Sequence, residues 1–182
     1  MKRLSAMLIG MTALTQAQVA QAQEACVAPA DLNDTVIYAM PLAYDAAQTA
    51  CDSEFLPDGF ISTDGEAFID GFRLKQDDAW PGAFRLLKVF MNTKGSDTTA
   101  PEIGGLISSL PEESLRPFID GIITQMIIPK IKPDTCGKIE EALELLAPLP
   151  VENVSGLVTF IAEQTDVKNP KLCATTNSRS AN

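Results

Sequence analysis

The sequence predicts an all-α fold, a compact disulfide-stapled bundle of roughly six short helices. Three observations lead there. Apolar residues recur at three-and-four spacing in one segment after another, which is the period of a helix with one face turned inward. No stretch sustains the period-2 alternation of a half-buried strand. Proline, glycine and acidic residues punctuate the chain at helix-length intervals.

Before the first helix comes a leader. Lys2 and Arg3 precede a short apolar run, Leu4 to Leu14, and Ala20-Gln21-Ala22 offers the small residues of a signal-peptidase site. The run is shorter than the ~20 residues a membrane-crossing helix needs. Residues 1–22 are therefore expected to be a cleaved signal peptide, residues 23–173 a single helical domain, and residues 174–182 a disordered C-terminal tail. Gln23-Glu24-Ala25 lacks the apolar residue that a lipoprotein signal carries three places before its cysteine, which argues against lipidation of Cys26.

Ala30 to Ala50 reads as the first helix, with Val36, Ile37, Met40 and Tyr44 on one face and a kink or break expected at Pro41. Asp52 to Ser62 reads as a loop. Thr63-Asp64-Gly65-Glu66 has capping-box spacing and opens a helix with Ala67, Phe68 and Phe72 inward. Asp78 and Pro81 suit the first turn of the next, which carries Phe84, Leu87, Val89 and Phe90. Lys94 to Pro101 is a surface loop, and a short element follows around Ile103 to Leu110. Pro111 then opens a helix whose Phe118, Ile119, Ile122, Ile123, Met126 and Ile127 form a stripe wide enough for a central position. Asp134 or Thr135 caps a helix with Ile139, Ala142, Leu143 and Leu146 inward and Glu140, Glu141 and Glu144 outward. Val151, Val154, Leu157, Val158 and Ile161 mark the last one.

Cys26, Cys51, Cys136 and Cys173 survive removal of the leader, and an even count in an oxidising compartment implies disulfides. The expected pairs are Cys26–Cys51 and Cys136–Cys173, each bracketing one helical segment. Gly71 and Gly121, in the repeated tetrapeptides Phe68-Ile69-Asp70-Gly71 and Phe118-Ile119-Asp120-Gly121, are expected where helices cross closely, since a mid-helix glycine costs ~1 kcal/mol against alanine.

Function is approached by elimination. The chain has no histidine, so Ser–His–Asp and Cys–His sites, the common zinc hydrolase centres and c-type haem attachment fall away. No C-x-x-C, GxGxxG or P-loop is present, and no metal or cofactor is expected. An EF-hand register built on Gly65 puts Phe60 and Gly71 where acids are required. The net charge of −10 becomes −12 once Lys2 and Arg3 leave with the signal, which argues against nucleic acid and anionic lipid. What remains is carboxylate chemistry, with Asp70 and Asp120 as candidates because each sits among apolar residues; the plain alternative for each is an ion pair, with Arg73 and Arg116 respectively. The leading expectation is a non-catalytic exported module that binds a protein partner, a basic one given the acidic chain. A carrier of a small apolar ligand comes second, and a carboxylate-dependent glycan hydrolase third.

Overall fold

In the computed structural model, the described residues are 26–93, 111–165, 167 and 170–174. The expected signal peptide, the loop from Lys94, the element around Ile103 and the tail beyond Ala174 lie outside them. The fold is all-α. Seven α-helices occur among the described residues: α1 (Pro29–Cys51), α2 (Phe60–Thr63), α3 (Gly65–Arg73), α4 (Gln76–Thr93), α5 (Glu112–Ile127), α6 (Cys136–Leu146) and α7 (Val151–Gln164). Short 3-10 turns at Ile128–Lys130 and Pro133–Thr135 lead from α5 to α6.

The axis of the bundle is α1. It starts with Pro29, whose fixed φ suits a first turn and whose missing N–H would have had no partner there. It runs unbroken through Pro41. Helices α3, α4, α5, α6 and α7 all pack against it, with α4 making the broadest contact. That is why its buried residues (Ile37, Tyr38, Leu42, Tyr44, Ala46, Ala47) spread over more than one face. The core closes around them with Ile61, Ile69, Phe72, Trp80, Phe84, Leu115, Ile119, Leu143 and Val154.

Several expected local signals resolve differently. Asp64, not Thr63, precedes α3, and no side chain caps it. The Thr63 hydroxyl instead donates to the Gly59 carbonyl at 3.0 Å, because Phe60–Thr63 already forms a helical turn there. Glu140, expected on a solvated face, turns inward: its carboxylate accepts from the Ile61 N–H at 3.1 Å and so caps α2 from another helix. The Thr135 hydroxyl donates to the Lys132 carbonyl rather than capping α6, and Ala142 is exposed. Helix α4 begins at Gln76, so Pro81 falls in its second turn.

Two glycines not expected at helix crossings, Gly82 and Gly65, sit where helices meet closely. A Cβ on Gly82 of α4 would lie 2.5 Å from Asp34 Cβ and 2.7 Å from Asp34 Cγ of α1. One on Gly65 would press on the Tyr44 ring, 3.2 Å from Cζ. At Gly71 a Cβ would meet Val151 Cγ2 at 3.3 Å, so the end of α3 approaches the start of α7, and the Lys75–Glu152 ion pair (2.6 Å) clamps the same junction. Gly121 corrects the expectation of a crossing there: nothing lies within 4 Å of where its Cβ would be.

The disulfide pairing also corrects the expectation. The bonds are Cys26–Cys173 and Cys51–Cys136, with Cα separations of 5.0 and 5.8 Å. Pairing neighbours in sequence assumed that each bridge staples one local segment. In the fold, the last residue of α1 meets the first of α6. Cys26 meets Cys173 beside an isolated parallel bridge in which Val27 N–H donates to Lys171 and Cys173 N–H donates to Val27, both at 2.9 Å. The entropic worth of a bridge grows with the loop it closes, and these close 147 and 85 residues.

Candidate functional site

Three places in the fold gather polar or exposed apolar groups, each built from residues that the helices position. The first surrounds Tyr38 in the middle of α1. Its ring is almost fully buried (2 % exposed). It lies 5.0 Å from Trp80, which in turn stacks on Phe84 at 5.2 Å, so the first turns of α4 form an aromatic ladder against α1. The phenol donates to the carboxylate of Asp120 on α5. Arg116, one turn earlier, donates from Nε to the Tyr38 oxygen at 3.3 Å and pairs with Asp77 of α4. Its guanidinium carbon stands 5.3 Å from the Tyr38 ring centroid. Gln76 completes the set, donating to the Tyr38 carbonyl at 3.0 Å.

This network binds α1, α4 and α5 to one another. Burial pushes the Tyr38 phenol well above its ordinary range, and its bond to Asp120 adds to the shift. Burial works against the Arg116 charge, but its hydrogen bonds to Asp77 and Tyr38 outweigh that and raise its pKa. Asp120 thus holds a phenol in place, and the Arg116 expected to pair with it is turned to Asp77. The indole Nε1 of Trp80 is buried without a hydrogen-bond partner.

The second place is Asp70. It is exposed on α3 and shares the Arg73 guanidinium with Glu66 and Asp45, at 3.0, 2.6 and 3.1 Å. The bond to Glu66 leads the effects that raise the Arg73 pKa. Where three acids converge, a cation is needed, and here the protein's own arginine supplies it. Among the described residues no group of three or more His, Cys, Asp or Glu side chains is set to hold a metal. Asp70 and Asp120 therefore sit in separate networks on different helices.

The third place is the outer face of α5. Leu115 and Ile119 are buried against the core, and Ile123 packs beside them. The stripe was expected to make this helix central, but only half of it is covered. Phe118 is 44 % and Met126 57 % exposed. With Pro117, Gly121, Ile122 and Gln125 they line an open groove of about 480 Å³. Gly121 lowers the floor of that groove, which explains a mid-helix glycine that crosses nothing.

The chain matches no known family model, and no curated protein or solved structure is significantly similar to it.

The groove on α5 has a chemistry of its own. It carries no charged side chain, combines an aromatic ring with a flexible thioether, and is widely open to solvent. Methionine and aromatic residues are enriched at protein interfaces, where they fill irregular partner surfaces. The sequence contained every one of these residues; it lacked any sign of which half of the stripe would be covered. Tyr38 and Trp80 were missed as well. The one available hint was Asp120, an acid among apolar residues that needed a buried donor.

Proposed function

We propose that the chain is an exported, non-catalytic helical module that binds a protein partner through the open apolar face of α5. The observation that carries this reading is the exposure of Phe118 and Met126 beside Gly121 and Ile122, in a groove without charge. Exposed apolar groups that cluster, rather than scatter singly, mark interaction sites. Export is supported by the Lys2–Ala22 leader pattern and by the pairing of all four cysteines, which suits an oxidising compartment. The acidic balance of the chain favours a basic rim on the partner, around an apolar centre that meets the groove.

A carrier for a small apolar molecule draws on the same groove. So shallow and open a site would leave such a ligand largely in water, whereas the surface of a partner would cover it, so the protein-binding reading is preferred. The test is recovery from the native envelope or culture fluid with the oxidised protein, comparing the natural chain with a Phe118→Asp, Met126→Asp double variant. A photo-crosslinker at Gln125 should give one adduct of defined mass, lost in the variant and weakened by added salt. Equal recovery by both proteins would remove the groove from the reading, and a retained small molecule in native mass spectra would favour the carrier.

A further inference from the structure

Helix α7 is turned the wrong way for a helix of a solitary domain. The residues it buries are mostly small or polar: Val154 and Ser155 are fully buried and Thr159 nearly so. The Thr159 hydroxyl finds no partner there. Its large apolar residues face out, with Leu157 43 %, Phe160 57 %, Ile161 51 % and Val158 38 % exposed. An amphipathic helix in a single-layer bundle does the opposite. Turning α7 by about a quarter of a revolution would cover the ring of Phe160, yet it would lift Val154 out of the core and break the broad contact of α7 with α1.

From this arrangement we infer that the outward face of α7 is a self-association surface, on which a second copy of this chain packs its own α7 antiparallel about a two-fold axis. Three features favour a second copy. From Asn153 to Ala162 the helix carries no charge, so two acidic chains meet where neither presents its excess negative charge. Gly156 shares the outward face with Phe160, one turn apart, and open space lies beyond its missing Cβ. In an antiparallel pair centred near Val158, each Phe160 ring falls over the other chain's Gly156, and Leu157 meets Ile161. This is the reciprocity that an isologous contact requires. The area agrees. The four side chains expose on the order of 350 Å² per chain, close to the apolar centre of a small interface in which each partner buries ~600–800 Å² with its rim. The product is a weak, reversible dimer. This surface is distinct from the α5 groove, and the inference does not rest on the reading given to that groove.

Sedimentation equilibrium of the oxidised protein over a hundredfold concentration range tests it, with far-UV dichroism and thermal melts confirming that each variant is folded. The weight-average mass should climb toward twice the monomer. Added salt should tighten the association, because it screens repulsion between two like-charged chains. Phe160→Asp and, separately, Gly156→Leu should each weaken the dimer at least a hundredfold while melting like the natural protein at monomeric concentrations. Phe118→Asp, in the α5 groove, should leave the dimer intact. A monomer at every concentration overturns the inference, as does a dimer that survives both α7 variants. Flotation with neutral phosphatidylcholine vesicles in a Phe160-dependent manner also overturns it, since the face would then serve a bilayer.

Discussion

Replacing Gly82 and Gly121 by alanine, one at a time, should move stability in opposite directions. Each lies inside a helix, and each substitution gains up to ~1 kcal/mol of helix propensity. At Gly121 nothing opposes the gain, because the new methyl group enters open space. At Gly82 the methyl would sit 2.5 Å from Asp34 Cβ, about 1 Å inside normal contact. Rotating the Asp34 side chain gives no relief, since Cβ is fixed to the α1 backbone. The helices must separate along the broadest interface in the bundle. Overpacking of this kind costs ~1–3 kcal/mol, and the rigid neighbour places it toward the upper end. The net expectation is a loss of about 2 kcal/mol for Gly82→Ala and a gain of about 0.5–1 kcal/mol for Gly121→Ala. In a domain of this size, that lowers the melting temperature by about 4–8 °C in the first case and raises it by about 1–4 °C in the second. Urea titrations of the oxidised proteins, monitored through the single tryptophan, read both. If Gly82→Ala stabilises, or Gly121→Ala destabilises, then α1 and α4 do not cross at Asp34 or Gly121 is not open.

Other outcomes follow from the same contacts. Digestion without reduction should give peptides joined Cys51 to Cys136 and Cys26 to Cys173; replacing Cys51 and Cys136 together by serine should cost up to about 4.6 kcal/mol for the 85-residue loop in the chain-entropy model. Glu140→Ala should lose about 1 kcal/mol by uncapping α2, and Glu140→Gln should recover most of it in the same urea assay. The raised Tyr38 pKa means that folding favours the neutral phenol. Its contribution is complete below the ordinary phenol value of about 10 and is lost as pH rises above it, by up to about 1.4 kcal/mol per pH unit. Tyr38→Phe should therefore shift alkaline unfolding to higher pH while costing about 1 kcal/mol at neutral pH through the lost Asp120 bond.

Helix positions were legible because they depend on local signals. Pro111 stands at the start of α5, and apolar spacing marked α1, α3, α4 and α7 along most of their lengths. The direction each face takes was not legible. A three-and-four stripe states that a helix has an apolar side, not that another layer exists to cover it. Leu157 and Ile161 carried the clean spacing of α7, yet Val154, Ser155 and Thr159 are the residues buried. The face that is covered is the one turned to α1, the broad packing partner of α7, and nothing within the α7 segment itself announces that contact. Glu140 is the same lesson in a polar side chain. Its helix pattern placed it outside, and a distant N–H at Ile61 drew it in. Cysteine spacing was silent for a related reason, since connectivity depends on which helix ends meet and not on how far apart they are in sequence.

The bridges join the first cysteine to the last and the second to the third, one loop nested inside the other. If the chain is exported as proposed, it presents Cys26 and then Cys51 to the oxidising compartment, while the true partner of Cys26 arrives 147 residues later. An oxidase acting on thiols as they emerge would join the first two, and only thiolate attack on that bond can release them for exchange. Under that proposal, efficient maturation would call for a reshuffling catalyst as well as an electron acceptor, and a host that supplied oxidant alone would accumulate the consecutive isomer.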